Sequence, residues 1–261
     1  MTEYENILQK YWGYPTFRPL QQEIIQSVCQ GKDTLGLMPT GGGKSITFQV
    51  AALSKEGICI VITPLIALMK DQVDNLRRRN IKAAAIYTGM SSSEITRTFD
   101  NCVDGNFKFL YISPERLQTE SFINKLIQLK INLIAVDESH CISQWGYDFR
   151  PAYLNIASIR QYVPKVPILA LTATATPEVV DDIQEKLHFK EKNVFSKSFE
   201  RRNLTYNVYE KNDKIGALLQ LCEKSKGTGI VYVGTRKETK ESAYVLQQYG
   251  FPADFYHGGL D

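Results

Sequence analysis

Cysteine is scarce and scattered. Cys29, Cys59, Cys102, Cys141 and Cys222 are odd in number, and no two of them form a C-x-x-C pair. This excludes a disulfide framework and fits reduced thiols in a cytoplasmic compartment. Long hydrophobic runs are lacking as well: nothing approaches the ~20 apolar residues that span a bilayer. The opening stretch, MTEYENILQKYWGY, has no apolar core of signal-peptide type. A soluble cytoplasmic chain with no membrane partner is expected. Neither sign of charge dominates, because the net charge is +3, and on either side of residue 200 there are 22 basic and 21 acidic residues, then 9 and 7. A polyanionic partner therefore has to be argued from particular sites rather than from bulk charge. Internal repeats and low-complexity segments are also missing.

What is present is an ordinary globular composition, 43% hydrophobic and 23% charged over 261 residues, enough for one large or two modest domains. Short β-branched runs alternate with longer helical patterns. DTLGLM ends at Met38, GICIVIT at Thr63, AAAIYT at Thr88, FKFLYIS at Ser113, LIAVDE at Glu138 and PILALTAT at Thr174. Runs that are apolar on both faces predict a buried parallel sheet, and their alternation with helices predicts a doubly wound α/β domain. Thr63-Pro64, Ser113-Pro114 and Thr176-Pro177 each predict an N-cap hydroxyl followed by proline in the first helical turn. Past residue 190 the composition turns polar, as in a linker. A strand (LTYNVY), a helix (about Asp213 to Lys224), a strand (GIVYVGT), a helix (about Lys237 to Tyr249) and the fragment ADFYHGGLD are expected beyond it. The division expected is 1–200 for a first lobe and 201–261 for a linker with the start of a second.

MPTGGGKS, Met38 to Ser45, joins the first strand to an apolar helix. Thr40, Gly41, Gly42 and Gly43 let backbone N–H groups turn toward a polyphosphate, with Lys44 reaching its outer phosphates and the Ser45 hydroxyl placed to ligate Mg²⁺. Met38 stands where the usual pattern has its first glycine. Asp137 and Glu138 close the apolar strand LIAV. The first acid can hold the same Mg²⁺ and the second can orient and deprotonate a water, provided that the strand ends and turns between them, since adjacent strand residues face opposite ways. DESHCISQWGYDFRPAY follows, crowded with rings.

GGGKS, DESH and LTATAT, in this order, resemble motifs I, II and III of superfamily 2 helicases. Together with FRPLQQEII, TPLIALMKDQV, YISPERL, FERRN and the ring-rich stretch, the chain from about Tyr11 onward resembles the RecQ family of DNA helicases. The resemblance implies a RecA-like P-loop lobe followed by an incomplete second one, with ATP and Mg²⁺ as cofactors and single-stranded and partly duplex DNA as partner. It implies adenine recognition by Tyr14, Arg18 and Gln21, and phosphate and Mg²⁺ binding by Lys44, Ser45 and Asp137. Glu138 would be the catalytic base, and His140 would sense the γ-phosphate. DNA would be touched by Gln144, Trp145, Tyr147, Phe149 and Arg150, and by Thr63, Pro64, Ser113 and Pro114, while Thr172 to Thr174 would couple the lobes. A zinc site at His140 and Cys141 is rejected for want of a second ligand pair. Ser139 and Tyr147 replace the family's commoner alanine and histidine, and YVGTRK departs from its usual YCxSR.

The resemblance further implies a 3′→5′ DNA helicase of recombination and repair. Because the sequence stops at Asp261, the isolated chain is expected to bind ATP but to turn it over poorly. An RNA helicase of the same superfamily and a nucleotide-binding interaction module without motor activity are the competing readings.

Overall fold

The computed structural model describes residues 2–196 and 203–260. Two compact units divide at Glu200 and Arg201. FERRN, apart from Asn203, lies outside the described residues.

The first unit is a seven-stranded sheet whose pairings are all parallel. In chain order it contains α1 (Glu3–Trp12), α2 (Gln21–Cys29), β1 (Thr34–Leu37), α3 (Lys44–Leu53), β2 (Ile58–Ile62), α4 (Ile66–Arg78) and β3 (Ala83–Ile86). Then come α5 (Ser92–Asp104), β4 (Phe109–Ile112), α6 (Glu120–Leu126), β5 (Ile131–Val136), β6 (Ile168–Thr172), α7 (Pro177–Lys186) and β7 (Val194–Ser196). Across the sheet the order is β3-β4-β2-β5-β6-β1-β7. Alternation along each strand explains both faces. Ile60, Ile62, Ile112 and Val136 pack with Phe99, Val179 and Ile183 on one side, while Cys59, Val61, Phe109 and Leu171 pack with Ile24, Phe48 and Met69 on the other. Strands buried on both faces bring the loops at their carboxyl ends, including 38–43 and 137–150, to one edge.

Three local expectations are corrected. The polar composition past residue 190 predicts linker at β7, yet Val194 and Ser196 register with Leu35 and Leu37 of β1. It is only three residues long and half exposed at the sheet edge, so its apolar signal is weak. The proline joints are met in two places of three: Ser113 and Thr176 are N-caps with proline in the first turn, although neither accepts a capping bond through its side chain, whereas α4 begins at Ile66 with Leu65 rather than Thr63 as its N-cap. In the second unit the two helices are present, as α8 (Lys214–Lys224) and α9 (Arg236–Gln248). Asp213 caps the first, and a Thr235/Glu238 capping box opens the second. LTYNVY and GIVYVGT, however, form no strand among the described residues. A strand exists only through ladder bonds to a neighbour, and these segments make none, leaving Val208 and Tyr232 almost fully exposed. Among the described residues no helix is long and apolar enough to cross a membrane.

Candidate functional site

The phosphate loop turns between β1 and α3. Gly41 and Gly43 both take left-handed φ of 77°. A Cβ on Gly42 would stand 2.8 Å from the Pro39 carbonyl. Only glycines fit this turn, and it leaves a concave backbone at a helix N-terminus, which suits an anion. The two neighbours implied for adenine recognition brace the loop. Arg18 donates through Nη1 to the Gly41 carbonyl at 2.5 Å, and buried Gln21 donates through Nε2 to the carbonyls of Gly42 and Gly43 at 3.2 and 3.0 Å. Gln21 accepts in return from the Arg18 amide at 2.9 Å. Tyr14, in contrast, presents a half-exposed ring. Lys44 opens α3, Ser45 follows it, and Thr40 is exposed at the lip.

β5 ends at Val136, and the chain turns sharply two residues later. Glu138 is left-handed, with φ 47° and ψ 45°, a conformation that costs a non-glycine residue about 1 kcal/mol. That turn meets the condition for adjacent acids to serve one site. Its amide donates to Asp137 Oδ1 at 3.0 Å. Asp137 is buried, and its carboxyl is pushed up to about 6, chiefly by desolvation and then by the Glu138 charge, against the pull of Lys44 and a hydrogen bond from Gln72. A doubly charged cation would supply the compensation that Lys44 alone leaves incomplete, so Ser45 and Asp137 fit an Mg²⁺ bound with a nucleotide.

His140 is buried behind the acids. Its Nδ1 lies 2.8 Å from Thr172 Oγ1 and 3.3 Å from Glu138 Oε2. The Thr172 hydroxyl donates to the Thr174 carbonyl at 3.2 Å, so toward His140 it is the acceptor and the ring carries its proton on Nδ1. Desolvation lowers the imidazole's affinity for a second proton, although the Glu138 and Asp148 carboxylates oppose this. The ring stacks on Tyr147 at 4.7 Å and 22°. Thr174 Oγ1 donates to the Tyr147 hydroxyl at 3.4 Å. A closed circuit therefore runs Glu138, His140, Thr172, Thr174 and Tyr147, from the second acid of the pair to the ring loop.

The rings divide into two kinds. Trp145 and Tyr147 are each 77% exposed, Gln144 is exposed, and Phe149 is half-buried. Tyr153 is wholly buried, and its hydroxyl donates to the Asp137 carbonyl at 2.9 Å. Arg150 is turned inward, where it pairs with Asp148 at 3.0 Å and donates to the Pro64 carbonyl at 3.2 Å. In this structure it ties the loop to the β2 edge. Thr63, Ser113 and Pro114 are buried rather than displayed to a polymer, and Pro64 is half-buried. Cys141 lies 3.7 Å from Asp148 Oδ2 and 3.8 Å from His140 Nε2. Its thiol is raised to about 12, mainly by burial, and Asp148 is already paired with Arg150, so the trio is poorly prepared for a metal. Sequence reasoning missed Gln72, Ser143, Tyr153 and Asp182. Gln72, Ser143 and Tyr153 lie within the quoted stretches and Asp182 outside them, and the contacts of all four join elements far apart in the chain.

Residues 18–183 match the DEAD/DEAH box helicase family. The chain is 45% identical over 259 residues to the ATP-dependent DNA helicase RecQ of Bacillus subtilis, covering 98% of this chain and 44% of that protein. It is 39% identical over 257 residues to the ATP-dependent DNA helicase RecQ of Pasteurella multocida, covering 98% and 41%. The chain thus spans less than half the length of these relatives. The crystal structure of the DUF1998 helicase MrfA shares the fold at 15% identity, with a TM-score of 0.71 over 95% of this chain and 41% of that one. The family match shows that the chain belongs to the DEAD/DEAH box helicases, and over nearly its whole length it is similar to part of the RecQ helicases.

Proposed function

We propose that this chain is the nucleotide-binding and DNA-contacting part of a RecQ-type helicase, in which ATP hydrolysis drives movement along single-stranded DNA in the 3′→5′ direction and opens duplexes during recombination and repair. The observation that carries the reading is the circuit through His140. It joins the acid that would activate water to rings that stand in solvent through a series of direct contacts. A cytoplasmic setting fits five cysteines that are all free.

Each residue has a separate task. The 41–43 backbone and Lys44 hold the phosphates, and Ser45 with Asp137 holds Mg²⁺, which supplies neutralisation of phosphate charge. Glu138 orients the attacking water and takes its proton. Its carboxylate follows the left-handed turn and lies 3.3 Å from His140 Nδ1, whose proton is given to Thr172. Exposed Trp145 and Tyr147 stack on bases regardless of sequence, at ~1–3 kcal/mol each. A change in what Glu138 contacts reaches the rings through one imidazole and two threonines.

The test is equilibrium binding of single-stranded DNA and RNA of equal length, each with and without a non-hydrolysable ATP analogue and Mg²⁺. DNA binding whose affinity changes with the analogue is expected. Preference for RNA would favour an RNA helicase, and failure to bind either polymer would reject the motor reading.

A further inference from the structure

The base of the ring loop is held by a helix that none of the motifs includes. Ser143 is completely buried, and its hydroxyl donates to Asp182 Oδ2 at 2.6 Å while accepting from the Trp145 amide at 3.2 Å. Asp182 lies on α7 and also pairs with Lys186, one turn further on, at 2.8 Å. The Lys186 ammonium in turn reaches the Ile142 carbonyl at 3.5 Å. All five residues are drawn into one patch where the loop leaves the sheet. We propose that Asp182 is a positioning residue for the ring loop, clamping its base through Ser143 and Lys186 so that Trp145 and Tyr147 stand at a fixed place relative to the end of β6.

Connectivity gives this clamp its significance. Thr172 ends β6, Thr174 follows, and α7 starts at Pro177. The segment that bonds His140 and Tyr147 therefore runs directly into the helix that bears Asp182. The ring loop is fastened twice to the same β6–α7 unit, once near its tip through Thr174 and Tyr147 and once at its base through Asp182 and Ser143. With two fastenings a shift of the Thr172–Thr174 segment carries the loop as a body, whereas with one the loop would pivot and the rings would lose register with the bases. A hydroxyl held to a half-buried, lysine-paired carboxylate is a strong and directional tie. Asp181, the neighbouring acid, faces solvent and pairs with Lys192 instead, so it serves as the internal control.

This inference rests on the proposed reading of the rings as base-stacking groups. The experiment uses this chain with Trp12→Phe, which leaves Trp145 as its one tryptophan. Asp182→Ala, Asp182→Asn and Asp181→Ala are compared in that background. Binding of a single-stranded DNA oligonucleotide, binding of an ATP analogue, and Trp145 emission with its quenching by acrylamide are measured for each. Asp182→Ala is expected to lower DNA affinity about tenfold, the loss of roughly one well-placed stack. It should also change Trp145 quenching and abolish the emission change caused by the ATP analogue, while analogue affinity stays within about twofold. Asp182→Asn, which keeps an acceptor for Ser143 but loses the charge toward Lys186, should fall between, and Asp181→Ala should match the parent. Unchanged DNA affinity and unchanged Trp145 quenching in Asp182→Ala would overturn the proposal, even if the variant were less stable. Should the parent bind no DNA, the reading of the rings fails separately, and Trp145 quenching alone still decides whether Asp182 holds the loop.

Discussion

Replacing Asp137 by asparagine should stabilise the ligand-free chain while destroying its use for a metal-bound nucleotide. The carboxyl is raised from 3.8 to about 6, with burial as the main cause. A raised acid favours the folded state below its unfolded value, and that contribution is lost as the pH climbs through about 6. At about 1.4 kcal/mol per pH unit, ionised Asp137 costs the fold about 3 kcal/mol at pH 8 and roughly half that at pH 5. The amide is nearly isosteric and keeps an oxygen to accept from the Glu138 amide. Urea unfolding of parent and Asp137→Asn at pH 8 and pH 5 checks this, with the larger gain expected at pH 8. Mg²⁺-nucleotide affinity should move the other way. In the parent it should fall about tenfold per pH unit below 6, because a cation needs the carboxylate, while in Asp137→Asn it should be weak throughout. A variant no more stable than its parent at pH 8, or a parent whose affinity followed the same pH curve as the variant's, would refute the reasoning.

Further outcomes follow from the ring loop. Trp145→Ala removes an exposed ring that packs on little, so its unfolding free energy should change by less than ~0.5 kcal/mol, while single-stranded DNA affinity measured by fluorescence anisotropy should fall by ~1–3 kcal/mol. A larger loss of stability would mark the ring as structural. Gly146→Ala would bring a Cβ to 2.8 Å from the His140 carbonyl and 3.2 Å from that of Ser143, both backbone atoms. It should destabilise the chain by ~1–3 kcal/mol and weaken DNA binding together, as seen by paired denaturation and anisotropy. Cys141, buried and with its thiol raised to about 12, should resist iodoacetamide at neutral pH in the native chain while Cys222 reacts, which mass spectrometry of digested protein resolves.

Six of the seven strands were legible because a strand covered on both faces must be apolar almost throughout, as ICIVI and INLIAV are. β7 escaped because three half-exposed edge residues need no such run. The phosphate loop was legible for a similar reason, since its turn tolerates no side chain and the glycines had to be there. Glu138 is the opposite case. Its left-handed backbone carries no glycine to announce it, and the strain is sustained by the surrounding packing and hydrogen bonds. The family resemblance implies that Arg150 touches DNA; in the structure its fork is engaged by Asp148 and the Pro64 carbonyl, and that pairing depends on how 137–150 folds back over the β2 edge. The tie from Ser143 to Asp182 spans 39 positions. Nothing local in SQWGY or VVDDIQ distinguishes it from ordinary solvated polar groups. The strands expected in LTYNVY and GIVYVGT were propensity without partners.

The linkage between the acid pair and the rings is tested most directly by a double titration. Single-stranded DNA affinity is measured with and without a saturating ATP analogue, in the parent and in Thr172→Val, which keeps the side-chain shape and deletes the hydroxyl that His140 Nδ1 meets at 2.8 Å. The parent should show several-fold coupling between the two ligands, and the variant should show almost none. Equal coupling in both would contradict the account, because the signal would then bypass His140 and Thr172.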